Sequence, residues 1–262
     1  MIKLFKLYEE VEEARQYWLE ALEDCEFLAS DGTRLPYRLY VPSTYSPGQK
    51  YPLQMHLHGG GIRGTDNKFQ IYHDCKQTQM LFAHQHYEPF IFVIPQCPEE
   101  YMWSVQRCDS VTGEWSLPRM DEHAQNCINR AVYELVEYLS EKYSVDRSRR
   151  YLSGASMGGG GVYELLYRYP DTFAGAIVGC TTSDVYTAKD IAHVPMYILH
   201  GAEDPIISVE HSRKMAKILD ELGADFVYRE FEGRIHDFTA PPSGDAELAE
   251  AMCWLFSKKR DV

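Results

Sequence analysis

The chain carries, between a predicted strand and a predicted helix, the stretch Gly154-Ala155-Ser156-Met157-Gly158. The stretch fits the pattern Gly-x-Ser-x-Gly, in which the glycines let strand and helix pass close together. A serine at the centre of such a turn has a strained backbone that exposes its hydroxyl group. The stretch therefore predicts a nucleophilic serine, Ser156, although a glycine-rich loop that only turns the chain also fits the bare motif.

Apolar strands alternate with helices on both sides of this stretch. We predict strands at residues 26–29, 37–41, 51–57, 90–94, 149–153, 173–178, 195–199 and 226–231, and helices at 68–86, 122–142, 162–169, 208–222 and 246–256. Such alternation is typical of a mostly parallel sheet covered on both faces. The sequence thus predicts the α/β class, with about eight strands flanked by helices, in a single domain over residues 25–262.

Residues 1–24 carry a different pattern. Apolar side chains recur at helical spacing from Lys3 to Asp24, with glutamates on the opposite face. An acidic amphipathic helix is a poor membrane binder. We expect this helix to pack on the domain or on a second copy of the chain, and the second arrangement would make a homodimer.

The composition excludes several classes of function. The 262 residues include 26 Lys and Arg against 39 Asp and Glu, which gives a formal net charge of −13. A surface this acidic repels nucleic acids and anionic membranes. The seven cysteines form no CxxC pair and no cluster at zinc spacing, and Met1–Glu20 lacks the apolar core of a signal peptide. We expect a cytoplasmic protein with reduced thiols, no metal, and no nucleic-acid or membrane partner.

Three loops at the predicted carboxyl ends of strands carry residues suited to acyl transfer. Ser156 lies on the first, Asp204 follows the strand at 195–199, and His236 follows the strand at 226–231. Such loops form the site in open α/β sheets. His236 would take the serine proton and later protonate the leaving group, while Asp204 would orient the imidazole.

A tetrahedral intermediate also needs hydrogen-bond donors for its developing negative charge. The backbone N–H of Met157 is one candidate, and the run Gly59-Gly60-Gly61 after the strand at 51–57 offers others. A phosphate-binding loop is the alternative for these glycines, but no Gly-Lys-Ser/Thr follows them. Met157 and the three glycines are therefore the candidate donors of an oxyanion hole.

The identity of the acid stays open at this point. Asp204 stands before a proline, and Asp-Pro commonly begins a turn. Glu203 and Asp184 are rivals by position, whereas Asp237 adjoins His236 and is expected to point elsewhere.

Four consecutive glycines, residues 158–161, open the helix after the nucleophile. Each costs helix stability of about 1 kcal/mol relative to alanine. Close packing or a nearby ligand would explain this cost, and the sequence does not distinguish the two.

Six phrases of the sequence together resemble one superfamily. They are His56-Leu57-His58-Gly59-Gly60-Gly61-Ile62-Arg63-Gly64-Thr65-Asp66-Asn67, Pro95-Gln96-Cys97-Pro98-Glu99 with Trp103-Ser104, Gly154-Ala155-Ser156-Met157-Gly158-Gly159, Arg168-Tyr169-Pro170-Asp171, His200-Gly201-Ala202-Glu203-Asp204-Pro205 and Gly233-Arg234-Ile235-His236-Asp237. After Asp24 the chain resembles the α/β-hydrolases, and within them the bacterial group labelled predicted peptidases, relatives of polyhydroxybutyrate depolymerases, feruloyl esterases and acetylxylan esterases. The polyglycine run and the N-terminal helix depart from that group.

This resemblance implies an α/β-hydrolase fold and serine esterase activity without a cofactor. It carries the nucleophile onto Ser156, the acid onto Asp204 and the base onto His236. It places the oxyanion role on the N–H groups of Met157 and Gly60, with Gly61 as a further position.

The predicted site is open, because residues 181–193, where many α/β-hydrolases have a lid, leave no room for a large cap domain. An open cleft suits a small acyl or aryl ester, including one on a sugar or short oligosaccharide. Trp103 could stack on a sugar or phenolic ring and Gln96 could face the pocket, so we assign both to substrate binding, with loop anchoring as the alternative for Trp103. A peptidase or amidase, and a silent hydrolase fold used for binding, are the alternative functions.

Overall fold

The computed structural model describes residues 19–73, 84–105, 107–110, 112–116, 128–236 and 244–261. Its strands are β1 (Glu23–Leu28), β2 (Arg34–Tyr40), β3 (Tyr51–Leu57), β4 (Ile91–Pro95), β5 (Arg107–Cys108), β6 (Trp115–Ser116), β7 (Val145–Ala155), β8 (Gly175–Gly179), β9 (Met196–Gly201) and β10 (Phe226–Phe231). Eight of them form one sheet in the order β1-β2-β4-β3-β7-β8-β9-β10. β2 pairs antiparallel with β1 and β4, and the other pairs are parallel. The predicted mostly parallel sheet of the α/β-hydrolase fold is confirmed.

Helices cover both faces of this sheet. They are α1 (Phe69–His73), α2 (Asn129–Lys142), α3 (Met157–Arg168), α4 (Ala188–Ile191), α5 (Glu210–Glu221) and α6 (Gly244–Phe256). One apolar core includes Leu135 of α2 and Leu165 of α3, and the other includes Met252 of α6. Strand β3 between them is buried along its whole length, as expected for a strand covered on both faces. None of the helices described here is long and apolar enough to cross a bilayer.

The predicted carboxyl end of the N-terminal helix, at Asp24, is wrong. Glu23 and Asp24 belong to β1, where they pair with Leu39 and Arg38. The buried guanidinium of Arg38 lies 3.1 Å from the Asp24 carboxylate, which favours the strand over the helix at this point. Residues 19–21 are helical. Residues 1–18, and with them the predicted helical contact to the domain or a second copy, lie outside the described residues.

Two other predicted helices have different bounds. The helix predicted at 68–86 is the short α1 followed, after residues 74–83 that lie outside the described part, by a 3₁₀ turn at His84–His86. The helix predicted at 122–142 begins at Asn129, and residues 122–127 are likewise outside it. Between β8 and β9 the chain forms a 3₁₀ turn, Val185–Thr187, and the four-residue α4, so this segment carries no large cap.

Close packing explains the polyglycine run that opens α3. A Cβ on Gly158 would lie 2.0 Å from the carbonyl oxygen of Leu57. A Cβ on Gly159 would lie 2.8 Å from the Thr181 side chain, and one on Gly161 would lie 2.5 Å from Cβ of Trp103. The helix therefore sits against the sheet at a distance that only glycine permits.

Candidate active site

Ser156 stands on the sharp turn between β7 and α3. Its backbone angles, φ 56° and ψ −124°, are strained for a residue with a side chain, a cost of about 1–3 kcal/mol. Two hydrogen bonds hold the turn: its N–H donates to Gly179 O (2.9 Å), and the Thr181 hydroxyl donates to its carbonyl (2.6 Å). The strain presents the hydroxyl group at the carboxyl edge of the sheet.

The imidazole of His236 lies between the serine and a carboxylate. Its Nε2 is 2.9 Å from Ser156 Oγ, and its Nδ1 is 2.6 Å from Asp204 Oδ2. Since a carboxylate can only accept, the ring proton resides on Nδ1 and Nε2 accepts from the serine hydroxyl. Three residues from distant loops thus form one hydrogen-bonded chain.

The loops after β9 and β10 are joined by close packing. A Cβ on Gly201 would lie 2.2 Å from the carbonyl oxygen of Ile235, so glycine is needed where the loops meet. The N–H of Glu203 donates to Arg234 O at 2.9 Å. This contact holds the loop that carries Asp204 against the loop that carries His236.

Asp204 is held as a carboxylate. Its side chain is fully buried, and Oδ1 accepts from the N–H groups of Ile206 (2.8 Å) and Ile207 (3.0 Å). Burial acts to raise the pKa of Asp204, but hydrogen bonds from His200, His236 and the two amides outweigh it and hold that pKa well below its usual range. Asp204 is therefore ionised at neutral pH and can accept a hydrogen bond from His236.

The rival acids are placed differently. Glu203 is exposed, and Asp184 uses its carboxylate to accept from the N–H of Tyr186 at the start of a 3₁₀ turn. Asp237 lies outside the described residues. Of the acids the structure describes, Asp204 is the one within hydrogen-bond distance of His236.

The residues predicted for the oxyanion hole lie on two facing turns. Met157 is the first residue of α3 and Gly60 the first of a 3₁₀ turn, positions whose N–H groups have no acceptor within their own helix. A Cβ built on Gly60 would lie 3.7 Å from Cβ of Met157. Gly61 follows on the exposed side of the turn.

His58 anchors the glycine loop from below. Its Nε2 accepts from the N–H of Cys97 (3.0 Å), so Nδ1 carries the proton and donates to Gly59 O (2.7 Å). Burial lowers the pKa of His58 to about 4, which keeps the ring neutral. The loop is therefore preorganised, because its anchor does not titrate near neutral pH.

The two side chains predicted to bind substrate, Trp103 and Gln96, are both buried in the structure. Trp103 is completely buried, and its Nε1–H donates to His58 O at 2.9 Å; the space opened by Gly161 lets its side chain turn into the core. Gln96 is also completely buried, donates to Asp66 (2.9 Å) and accepts from the N–H of Asn67 (2.6 Å). Both side chains support the loops around the site and offer no surface to a substrate.

Sequence reasoning missed His200, which backs the acid. Its ring is fully buried, with Nε2 at 3.0 Å from Ile207 O and 3.3 Å from Asp204 Oδ2. Since both are acceptors, Nε2 carries the proton, and Nδ1 accepts from the Ser212 hydroxyl at 2.7 Å. The signal that could have found it is its position: His200 lies at the end of β9, directly before the loop that carries Asp204.

Sequence reasoning also missed Cys180, the residue directly after β8. Its exposed fraction is 1%, and its backbone has a φ of 40°. Its thiol lies beside Asp204 and His236. Its position at a strand's carboxyl end was the signal available.

Comparison with known proteins gives a family for this chain. Residues 29–209 match the family model described as "Putative esterase", a range that contains Ser156 and Asp204. A solved thermostable esterase shares 31% identity with a TM-score of 0.79, over 93% of this chain and 64% of that one.

Two curated fungal relatives are more distant. Feruloyl esterase B of Thermothelomyces thermophilus is 25% identical over 60% of this chain and 48% of its own length. The bifunctional acetylxylan esterase/xylanase XynS20E of Neocallimastix patriciarum is 29% identical over 30% of this chain and 12% of its own length. The chain thus spans less than two thirds of each of these relatives.

Proposed function

Because the chain belongs to the esterase family that its residues 29–209 match, we propose that it is a serine carboxylesterase. One observation carries the proposal: His236 lies 2.9 Å from the Ser156 hydroxyl and 2.6 Å from the Asp204 carboxylate. This arrangement can activate a serine, since it supplies both the base and the group that orients it.

The proposed reaction has two half-reactions. Nε2 of His236 takes the hydroxyl proton as Ser156 Oγ attacks the ester carbonyl, and the resulting imidazolium is stabilised by Asp204. The imidazolium then protonates the departing alcohol, which leaves an acyl group on the serine. Water, activated by the same imidazole, releases the acid and restores the enzyme.

The N–H groups of Met157 and Gly60 are the proposed donors to the oxyanion, with Gly61 as a further donor. Their turns face each other beside the nucleophile, and neither N–H is used within its own helix. Losing one such donor typically raises the barrier by about 3–4 kcal/mol. The rigid anchor that His58 provides keeps this geometry before the substrate arrives.

The proposed substrates are small acyl or aryl esters, of the acetyl or feruloyl type, including those carried on carbohydrate. The names of the feruloyl and acetylxylan esterases among the relatives support this class. So does the short segment between β8 and β9, which carries only a 3₁₀ turn and a four-residue helix and leaves access to a bulky alcohol.

Hydrolysis of p-nitrophenyl acetate and butyrate by the wild type and by Ser156→Ala tests the proposal. We expect Ser156→Ala to lose activity by a factor of about 10³ or more and to lose labelling by a fluorophosphonate probe. Ser257→Ala, at an exposed serine after α6, is the matched control and should keep both. Equal turnover by the wild type and Ser156→Ala would refute the serine assignment.

A substrate panel separates the ester from the amide reaction. Methyl ferulate and acetylated xylan should be hydrolysed, and the matching aminoacyl amides should not. Preferential cleavage of the amides would replace the esterase proposal with a peptidase of the same fold.

A further inference from the structure

Three different metal-binding groups lie close together in the structure, on Cys180, Asp204 and His236. One ligand atom from each, the thiol sulfur, a carboxylate oxygen and a ring nitrogen, lie within 4.8 Å of one another. The proposed reaction uses the carboxylate and the imidazole but has no task for the thiol. We propose that these residues form an inhibitory zinc site that overlaps the catalytic triad.

The donor set selects the ion. Thiolate and imidazole together favour Zn²⁺ over the harder Mg²⁺ and Ca²⁺, and three protein ligands leave a fourth position for water. In a tetrahedral site with bonds of about 2.0–2.3 Å, ligand atoms lie roughly 3.3–3.8 Å apart. The three atoms need to move by about 1.5 Å or less to reach that spacing.

The surroundings favour a bound divalent cation. The Asp204 side chain is fully buried and Cys180 is almost so, while the His236 side chain keeps 19% exposure and marks the path of entry. A thiolate and a carboxylate together balance the charge of one Zn²⁺, so the complex is neutral in a site that water scarcely reaches. The backbone of Cys180, like that of Ser156, has a positive φ, here 40°.

With zinc bound, the imidazole of His236 cannot act as a base. With the metal bound at Nδ1 of His236, the proton held there moves to Nε2, and Nε2 can no longer accept the Ser156 proton. With the metal bound at Nε2, the lone pair that would accept this proton is itself occupied. The Cys180 thiol releases its proton to solvent, and the Asp204 carboxylate binds without a proton change. One proton is released for each zinc bound, and removal of the metal restores the original tautomer.

Inhibition rests on the proposed esterase function, whereas metal binding does not, so two measurements separate them. In the first, the metal-free protein is titrated with ZnCl₂ and its rate on p-nitrophenyl acetate is compared with its own zinc-free rate. We expect reversible inhibition that EDTA relieves. Cys180→Ser and Cys180→Ala should both need at least about tenfold more zinc for half-inhibition. Cys253→Ser, which removes an exposed thiol on α6, should behave as the wild type.

In the second measurement, Co²⁺ replaces zinc and the thiolate-to-cobalt charge-transfer band is recorded in the near ultraviolet. The band should appear in the wild type and in Ser156→Ala, and disappear in Cys180→Ser and in His236→Ala. Two results would overturn the proposal. One is that both Cys180 variants are half-inhibited at the same zinc concentration as the wild type, and the other is that the wild type shows no thiolate band. If the wild type shows the band but hydrolyses no ester, the result supports the metal site and contradicts only the proposed esterase function.

Discussion

Replacement of Trp103 by phenylalanine distinguishes a core residue from a substrate-binding one. The indole is completely buried and its Nε1–H donates to the carbonyl of His58, the residue that anchors the glycine loop at residues 59–61. Phenylalanine leaves that buried carbonyl without its donor, which costs about 1–3 kcal/mol. The smaller ring leaves a gap that adds about 1 kcal/mol. We therefore expect Trp103→Phe to lower the free energy of unfolding by about 2–4 kcal/mol.

Urea unfolding followed by far-ultraviolet circular dichroism measures this loss at neutral pH. Trp115→Phe, on the partly exposed ribbon strand β6, is the matched control, and we expect it to change stability by less than about 0.5 kcal/mol. In the kinetic assay, KM of Trp103→Phe for aryl esters should stay near the wild-type value, because the ring offers no surface to a substrate. A large rise in KM with an unchanged urea midpoint would refute the reasoning and restore a stacking role for Trp103.

Three further changes test other parts of the structure. Gly158→Ala places a Cβ 2.0 Å from a backbone carbonyl and should destabilise the fold by about 3 kcal/mol or more in urea, whereas Gly48→Ala, which has open space, should leave the midpoint unchanged. Burial lowers the pKa of His56 to about 3 and of His58 to about 4 from 6.5, so only the unfolded chain takes up these protons as the pH falls. The urea midpoint should therefore drop between about pH 6 and pH 4, and a rise there would contradict the buried, neutral rings. His200→Phe removes the hydrogen bond to the Asp204 carboxylate and should lower kcat on p-nitrophenyl acetate about tenfold at an unchanged KM; an unaltered kcat would show that the acid does not need this partner.

Local sequence signals were enough to predict the framework of the fold. Strand β10 has the predicted bounds, 226–231, and the turn at Ser156 lies where the strand and helix periods meet. Strands and turns of this kind depend on neighbours in sequence, so periodicity and glycine spacing reveal them. The end of the N-terminal helix was mispredicted because Asp24 is drawn into β1 by a partner on another strand, Arg38.

The position of a residue along the chain indicated which side chains could lie at the candidate site, and only the tertiary structure decided which of them do. Asp204, Glu203 and Asp184 all follow strand ends, but just one of these side chains points at the imidazole. Gln96 directly follows β4 and Trp103 lies in the loop after it, yet both side chains turn into the core because glycines and polar partners make room for them there. The physical reason is that the direction of a side chain depends on packing against segments far away in sequence, and neither spacing nor composition records those contacts.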